Sequence, residues 1–245
     1  VYCLSRKQTE EAAELLRAKG YNSVAYHAGL DSETRSKNQD RFMTEPYVIM
    51  AATIAFGMGI DKPDIRFVAH VSLPGSMEAY YQEIGRAGRD GKAAETLLMY
   101  GLSDLFQRRR FIEEDGEDEN HKLREHKRLD SLLAYCEAPS CRRIALLHYF
   151  DEQIAPCGNC DNCLSPPKLV DGTELAQMTL SAIYRTGQSF GTTHIIDVLR
   201  GSPSGKILER THNQIKTFGV GSEYSKPYLQ SFIRQLIAAG HVVLN

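Results

Sequence analysis

The chain has 245 residues, which is long enough for two domains or for three small ones. It is 42% hydrophobic and 24% charged, as is typical of globular proteins, and none of its apolar runs is long enough to cross a bilayer. The formal net charge of −2 excludes a protein that is basic throughout, so any binding to nucleic acid has to rest on local patches.

Strand and helix patterns alternate over residues 1–100. The predicted strands, in chain order, are VYCL, SVAYH, YVIMA, RFVAHV and ETLLMY. The predicted helices are residues 9–19, which end at Gly20, residues 31–43, and the segment SMEAYYQEIGRAGR, which Ser76 opens. This alternation predicts an α/β lobe with a parallel sheet covered on both faces. No initiator Met or signal-peptide pattern precedes the first strand, which suggests that the chain begins inside a longer protein.

Strand patterns stop at Ser103, and mainly helices are predicted beyond it. The segments DLFQRRRFIEE, HKLREHKRLDSLLAYCE and CRRIALLHYF are predicted helices, and the cysteine-rich CGNCDNC and the proline-rich LSPPK follow them. Further helices are predicted at residues 173–186, 193–199, 207–216 and 227–239, before the final HVVLN starts a strand. Helices followed by a strand predict a winged-helix module that lacks its wing.

The string QEIGRAGR places Arg86 and Arg89 three residues apart. On a helix such residues share a face, so we expect both guanidinium groups to point at one target. Guanidinium groups suit phosphate oxygens, and the interleaved Gly85 and Gly88 remove side chains that would keep a polyphosphate or another domain away. The alternative is a solvated helix whose two arginines form ordinary salt bridges.

Small and polar residues follow the predicted strands of the lobe. Residues 53–61 come directly after a buried strand, where α/β sheets bind ligands. Ser5, Arg6 and His27 follow the first two strands, and by the same reasoning they are candidate contacts to DNA phosphate. A single histidine is often structural, and for His27 that alternative stays open.

Three of the six cysteines, Cys157, Cys160 and Cys163, form a C-x-x-C-x-x-C run that can bind one metal at little loop-closure cost. A structural zinc site needs a fourth ligand. The spacing leaves three candidates open, which are Cys136, Cys141 and His148. An iron–sulfur cluster is the rival, but ferredoxin-type runs usually continue with a further cysteine close by and a proline, whereas Leu164 and Ser165 follow Cys163 here. The sequence therefore predicts a structural zinc.

The segment SKPYLQSFIRQLIAAG has apolar residues at helical spacing, which predicts a buried face. The residues of this face are Leu229, Phe232, Ile233, Leu236 and Ile237. Lys226 and Arg234 are predicted to face outward and to contact DNA phosphate. Residues 171–245 carry seven Lys and Arg against five Asp and Glu, a mild excess that suits backbone contacts. A protein–protein role for this module is the alternative.

These strings together resemble the RecQ family of DNA helicases over essentially the whole chain. QEIGRAGR resembles the sixth motif of superfamily 2 helicases, VYCLSRKQTEEAAELLRAKGYNSVAYHAGL the fourth motif region of RecQ, and VIMAATIAFGMGIDKPDIRFVAHVSLPGS the fifth. CRR followed by CGNCDNC resembles the RecQ zinc-binding segment, and the remainder resembles the RecQ winged helix. The resemblance implies a RecA-like lobe at residues 1–102, a helical zinc-binding domain at 103–167 and an incomplete, mostly helical winged-helix domain at 168–245.

The resemblance also implies functions for single residues. Arg89 is the implied arginine finger, Arg86 acts at the same nucleotide cleft, and Gln82 couples the cleft to DNA. Gly59 and Asp61 are implied to lie near the nucleotide. Further implied roles are a DNA-phosphate contact for Thr53 and the fourth zinc ligand for Cys141.

The family implies an ATP-dependent, 3′-to-5′ DNA helicase of recombination and repair, which binds ATP and Mg²⁺ between two lobes. The chain contains neither a G-x-x-x-x-G-K-[ST] phosphate loop nor an Asp-Glu-x-His string, so we expect no ATP hydrolysis or strand separation by this chain alone. The expected partners are single-stranded DNA, duplex junctions and, through the winged helix, a single-strand-binding protein, with no membrane. The expected place is the bacterial nucleoid or the eukaryotic nucleus.

Two rival functions stay open. One is a zinc and winged-helix DNA-binding module without motor activity, and the other is a different superfamily 2 motor such as an RNA helicase.

Overall fold

The computed structural model describes residues 1–57 and 60–243, and the chain forms two compact units, Val1–Leu132 and Leu133–Asn245. The first unit contains a parallel sheet with helices around it. Its strands are β1 Ser23–Tyr26, β2 Ile49–Ala52, β3 Phe67–His70 and β4 Glu95–Leu98. Its helices are α1 Arg6–Ala18, α2 Ser32–Thr44, α3 Met77–Ile84, α4 Leu102–Glu114 and the larger part of α5 Glu119–Glu137.

The sheet consists of two parallel strand pairs that Tyr2 joins. β1 pairs with β2 and β3 pairs with β4. The partners at the ends of these pairings are Ser23 with Ile49, Tyr26 with Ala52, Phe67 with Glu95, and His70 with Leu98. Tyr2 forms parallel bridges to both Ala52 and His70, so the segment VYCL lies in the middle of the sheet. The predicted α/β lobe with a parallel sheet is therefore confirmed, although its first strand is reduced to a bridge.

Side-chain caps start the first three helices at or near the predicted positions. The Ser5 hydroxyl accepts a hydrogen bond from the Gln8 amide, and the Asp31 carboxylate accepts one from the Thr34 amide. The core under the sheet includes residues from the loop after β2. Its buried members are Val24, Phe42, Met50, Ala52, Phe56 and Ile60. Packing of the last two residues holds that loop against the lobe.

The third helix is shorter than predicted. α3 begins after the Ser76 cap, as expected, but it ends at Ile84, and the residues that follow form a turn. The prediction of a helix through Arg89 is therefore wrong. Gly88 has a φ of +67°, and a Cβ built on it would lie 2.9 Å from the Lys92 carbonyl oxygen, so both the backbone conformation and the space require glycine.

The second unit is helical in its described part. Its helices after α5 are α6 Arg142–Tyr149, α7 Asp161–Leu164, α8 Thr173–Arg185, α9 Thr192–Arg200, α10 Gly205–Glu209, the 3₁₀ helix His212–Gln214 and α11 Lys226–Ala238. The short α7 was not predicted. The single helix predicted at residues 207–216 is divided, because Thr211 has a φ of +56°.

The buried face of α11 is confirmed for four residues, Leu229, Ile233, Leu236 and Ile237, and Phe232 is half-buried beside Gly172. The predicted strand start HVVLN is not seen at residues 241–243, and Leu244 and Asn245 lie outside the described residues. No helix in the described part of the chain is both long and apolar enough to cross a membrane. The predicted three-domain division stays a prediction, since the two compact units meet within α5 instead.

Candidate functional site

The turn after α3 brings both arginines of the GRAGR string to the loop that follows β2. Arg86 Nη1 donates a hydrogen bond to the Ile60 carbonyl oxygen at 3.5 Å. Arg89 Nη1 donates to Asp61 Oδ1 at 2.9 Å. The two guanidinium groups thus meet one loop of the chain itself, and a turn rather than a shared helical face aims them there. The prediction that they point at phosphate stays a prediction.

Arg86 is enclosed by this loop. A Cβ built on Gly57 would lie 2.9 Å from Arg86 Nη2, so the absence of a side chain at Gly57 makes room for the guanidinium. Arg86 Nε is buried and has no hydrogen-bond partner among the described residues. Buried guanidinium donors are normally satisfied, and an unused one is suited to an anion.

Arg89 is held more loosely. Its side chain is 40% exposed, and its Asp61 partner is 85% exposed. Exposed ion pairs contribute about 0–1 kcal/mol, so Arg89 can exchange Asp61 for another anion at small cost. Gln82, one turn upstream, is exposed. Gly59, which was predicted to lie near the nucleotide, is outside the described residues.

The candidate DNA contacts of the first unit differ in exposure. Ser5 and Arg6 are exposed at the start of α1, and the Arg6 side chain lies across Gly29, whose built Cβ would be 2.9 Å from Arg6 Cδ. Thr53 is half-buried, and its hydroxyl accepts a long 3.4 Å hydrogen bond from the Ala55 amide. The role of these three residues in DNA binding stays a prediction.

His27 is a structural residue. It is 3% exposed, its Nε2 lies 3.1 Å from the Glu10 carboxylate, and its Nδ1 accepts a hydrogen bond from the Gly29 amide at 3.2 Å. Since both ring nitrogens have partners inside the chain, His27 leaves the set of DNA-contact candidates. The alternative that the sequence left open is the one that the structure favours.

Arg234 also has an internal partner. Its guanidinium forms an ion pair with Glu137 at the end of α5 and contacts the Ser231 hydroxyl at 3.3 Å. Arg234 is thus engaged inside the second unit, with a side chain that is 29% exposed. Its predicted contact to DNA stays a prediction that this ion pair does not favour. The Lys226 side chain is 42% exposed, and its distance of 3.8 Å from the Asp197 carboxylate makes a weak ion pair. Lys226 therefore remains a candidate for contact with DNA phosphate.

Four cysteines of the second unit form a metal-binding cluster. The sulfur atoms of Cys141, Cys157, Cys160 and Cys163 all lie within 4.8 Å of one another. Three of the separations are 3.5, 4.0 and 4.0 Å. A tetrahedral zinc with Zn–S bonds of about 2.3 Å requires sulfur atoms about 3.8 Å apart, so the cluster fits zinc. Cys136 and His148, the other candidates for the fourth ligand, lie outside it.

Backbone amides support the sulfur atoms of the cluster. The Cys157 amide donates to Cys141 Sγ and the Arg142 amide donates to Cys160 Sγ, each at 3.4 Å. Burial opposes ionisation of Cys141, but the amide hydrogen bonds prevail and lower its pKa to about 6. Burial raises the pKa of Cys136, which is no ligand, to about 12.

Arg142 is a structural residue of the cluster that the sequence did not single out. Its guanidinium contacts the Asp161 carboxylate at 3.0 Å and donates to the carbonyl oxygens of Tyr135 and Cys136 at 3.0 and 2.9 Å. It therefore joins the end of α5 to the loop that carries the last three cysteines. The arginine next to the ligand in CRR is the signal that could have revealed it.

Three family models match consecutive parts of the chain. They are the helicase conserved C-terminal domain over residues 1–91, the RecQ zinc-binding domain over 102–164 and the RQC domain over 166–245. The second of them covers the cysteine cluster and supports its assignment to structural zinc.

Similar proteins match along nearly the whole chain. The chain is 46% identical to the ATP-dependent DNA helicase RecQ of Haemophilus influenzae, with 99% of the chain and 39% of that protein covered. It is 38% identical to the ATP-dependent DNA helicase RecQ of Bacillus subtilis, with 97% and 40% covered. It is 35% identical to a putative ATP-dependent RNA helicase of Acanthamoeba polyphaga mimivirus, with 98% and 45% covered. The chain thus spans about two-fifths of the length of these curated relatives.

Proposed function

Because the chain belongs to the RecQ family, we propose that it forms the second half of an ATP-dependent DNA helicase motor that moves 3′ to 5′ in recombination and repair. The observation that carries this proposal is the convergence of Arg86 and Arg89 on one loop after a parallel strand. Loops at the carboxyl ends of parallel strands are the usual ligand site of such sheets.

The two arginines suit different tasks in phosphoryl transfer. ATP and Mg²⁺, bound between this lobe and a preceding lobe with the phosphate loop, supply the transferred group and the metal charge. Catalysis of this reaction is mainly positioning and charge stabilisation, and an arginine finger can raise the rate ~10³–10⁵-fold. Arg89, exposed and weakly paired, is free to reach the phosphate from Asp61. Arg86, enclosed by the loop, holds its positive charge at a fixed position.

The other candidate residues have further roles in the proposal. Gly59 and Asp61 are the proposed neighbours of the nucleotide. Gln82 is proposed to couple the nucleotide cleft to DNA. DNA phosphates are bound by the exposed Ser5 and Arg6 and by Thr53. Such contacts read no base sequence, which suits an enzyme that has to act on any duplex.

The second unit binds structural zinc and DNA. Cys141 reaches the metal from the start of α6, and the other three ligands come from one short loop, so zinc fixes that loop to the helical frame. In the RQC domain, Lys226 is the proposed phosphate contact. A single-strand-binding protein is a further partner that we propose for this domain, and the mild excess of basic residues in 171–245 supports attraction of an acidic segment.

The test is nucleic-acid-stimulated ATP hydrolysis by this chain and by a protein extended upstream by one lobe. We expect ATP hydrolysis only from the longer protein. Single-stranded DNA should stimulate it more than RNA of the same sequence does. Stronger stimulation by RNA would support an RNA helicase. If neither protein hydrolyses ATP while zinc and DNA are bound, the chain is a DNA-binding module and the motor proposal is wrong.

A further inference from the structure

Tyr2 occupies the middle of the sheet and also reaches the loop after β2. Its backbone amide donates to the Ala69 carbonyl oxygen at 2.7 Å, and its carbonyl oxygen accepts from the Val71 amide at 3.1 Å. Its hydroxyl donates to the Phe56 carbonyl oxygen at 3.2 Å, in a buried position. The residue therefore connects the most interior part of the sheet to the loop that encloses Arg86.

The ring of Tyr2 is fixed on its other side. It stacks on His70, with ring centroids 5.1 Å apart and an interplanar angle of 12°. His70 Nε2 lies 2.7 Å from Glu83 Oε2, and Glu83 is on α3, just before the GRAGR turn. The Tyr2 hydroxyl is therefore held in one position by its backbone pairing, by the ring stacking on His70 and by the buried His70–Glu83 pair.

Arg86 lies beside the same hydroxyl. Burial raises the pKa of Tyr2, and the charge and hydrogen bonding of the Arg86 guanidinium act in the opposite direction. Arg86 in turn contacts the Ile60 carbonyl oxygen and fills the space over Gly57. The Tyr2 hydroxyl therefore bonds the loop backbone at Phe56, and the Arg86 guanidinium that packs against the same loop interacts with it.

We propose that Tyr2 is a positioning residue, whose hydroxyl holds the loop after β2 and the Arg86 guanidinium in one arrangement for phosphate binding. This inference rests on the proposed function, since it assigns Tyr2 a task only if Arg86 acts at the nucleotide. Tyr2 itself touches no phosphate in the proposal.

The first experiment is Tyr2→Phe in the protein that includes the preceding lobe. Loss of one hydrogen bond to a preorganised site corresponds to roughly a three- to tenfold change in rate. We expect kcat for DNA-stimulated ATP hydrolysis to fall by this factor. KM for ATP should stay within about twofold, because the preceding lobe supplies the main phosphate cradle.

Tyr26→Phe is the matched control. Tyr26 ends β1 and packs its ring on Phe56 at a centroid distance of 4.8 Å, and none of the described residues hydrogen-bonds its hydroxyl. The same chemical change is thus made against the same loop residue, without loss of a bond. We expect wild-type kcat from this variant. Equal losses in the two variants would show a general effect of hydroxyl removal and would overturn the proposal.

A double-mutant cycle with Arg86→Ala separates this inference from the proposed function. We expect Tyr2→Phe to have no further effect on kcat once Arg86 is removed. If Arg86→Ala alone leaves kcat unchanged, the proposed role of Arg86 fails. If Arg86→Ala lowers kcat but Tyr2→Phe does not, or lowers it equally in both backgrounds, only the inference about Tyr2 fails.

A second measurement needs no turnover and covers the case of a poorly folded variant. Amide hydrogen exchange of residues 53–57 should become faster in Tyr2→Phe and stay unchanged in Tyr26→Phe, while exchange in α1 and α2 stays at wild-type rates. Unchanged exchange in the loop would contradict the proposal, and faster exchange throughout the lobe would show a folding role instead.

Discussion

At the scale of single residues, the two arginines of one short string have different surroundings. Arg86 is enclosed by a loop that needs glycine beneath it, whereas Arg89 rests on an exposed aspartate. Their convergence was predictable from spacing and residue type, although the path by which it arises was not. The roles of His27 and Arg234 were not predictable, because their partners Glu10 and Glu137 are 17 and 97 residues away in sequence.

Arg89→Ala tests the assignment of the arginine finger. In the protein that includes the preceding lobe, we expect ATP turnover to fall roughly 10³-fold, because the charge that develops on the phosphate loses its partner. Affinity for single-stranded DNA should be largely kept. Arg110→Ala is the control, since Arg110 forms an exposed pair with Glu114 on α4. Survival of turnover in Arg89→Ala would remove Arg89 from the catalytic set.

Arg234→Ala and Lys226→Ala distinguish a structural from a DNA-contacting basic residue. Arg234→Ala removes the guanidinium partner of the Glu137 carboxylate. We therefore expect the free energy of unfolding of the second unit to fall by about 1.5–3 kcal/mol. Lys226→Ala should leave stability unchanged and reduce the salt slope of duplex binding by about 1. Urea denaturation and salt titrations measure the two effects, and the reverse pattern would support Arg234 as the DNA contact.

At the scale of elements, the cysteine cluster depends on where two helices end and begin. α5 ends at Glu137 and α6 begins at Arg142, which places Cys141 at the helix start beside the cysteine loop and leaves Cys136 inside α5. Spacing in sequence could predict three ligands but not this change of direction. The resemblance to a known family supplied the fourth ligand, and the geometry confirms it.

Cys160→Ser tests the zinc site. With one thiolate replaced by a poor ligand, we expect the zinc content to fall well below one ion per chain and the second unit to lose stability, because metal binding and folding are coupled. Cys136→Ser should keep one zinc. Metal analysis and thermal unfolding measure both outcomes, and iron in the wild-type protein, or full zinc in Cys160→Ser, would contradict the site as described.

His194 predicts a loss of stability in acid. Burial, and then the charges of His212 and Lys206, lower its pKa below the ordinary 6.5, and its Nε2 lies 2.8 Å from His212 Nδ1. The unfolded chain therefore binds a proton more readily than the folded one. The contribution to stability is present above pH 6.5 and is lost as the pH falls below it.

The comparison is made between wild type, His194→Gln and His241→Gln, with zinc bound in all three. We expect Tm between pH 7.5 and 5.5 to fall less steeply in His194→Gln than in wild type. The exposed His241 should make no difference. Identical slopes of Tm against pH in all three proteins would show that protonation of His194 does not cause the loss of stability in acid.

At the scale of the whole molecule, the chain carries four cysteines that together can hold one zinc and, as we propose, one half of a composite nucleotide site. The alternation of elements predicted the class of the first unit. Helical periodicity predicted most helices of the second, but not the short α7 or the division at Thr211. The order of the strands was not predictable, because it depends on Tyr2, whose bridges reach residues 50 and 68 positions away along the chain. Local patterns carry no information about such distant pairing.

The position of Tyr2 also determines where the lobe can be truncated at its N-terminus for expression. Without Val1 to Leu4 the continuous sheet would become two separate two-stranded ribbons, each with an inner strand whose N–H and C=O groups are left open. Short ribbons of this kind are barely stable alone, and open strands recruit strands from other molecules. A protein trimmed to begin after Leu4 is therefore expected to aggregate on expression, and sedimentation of the two lengths side by side would measure it.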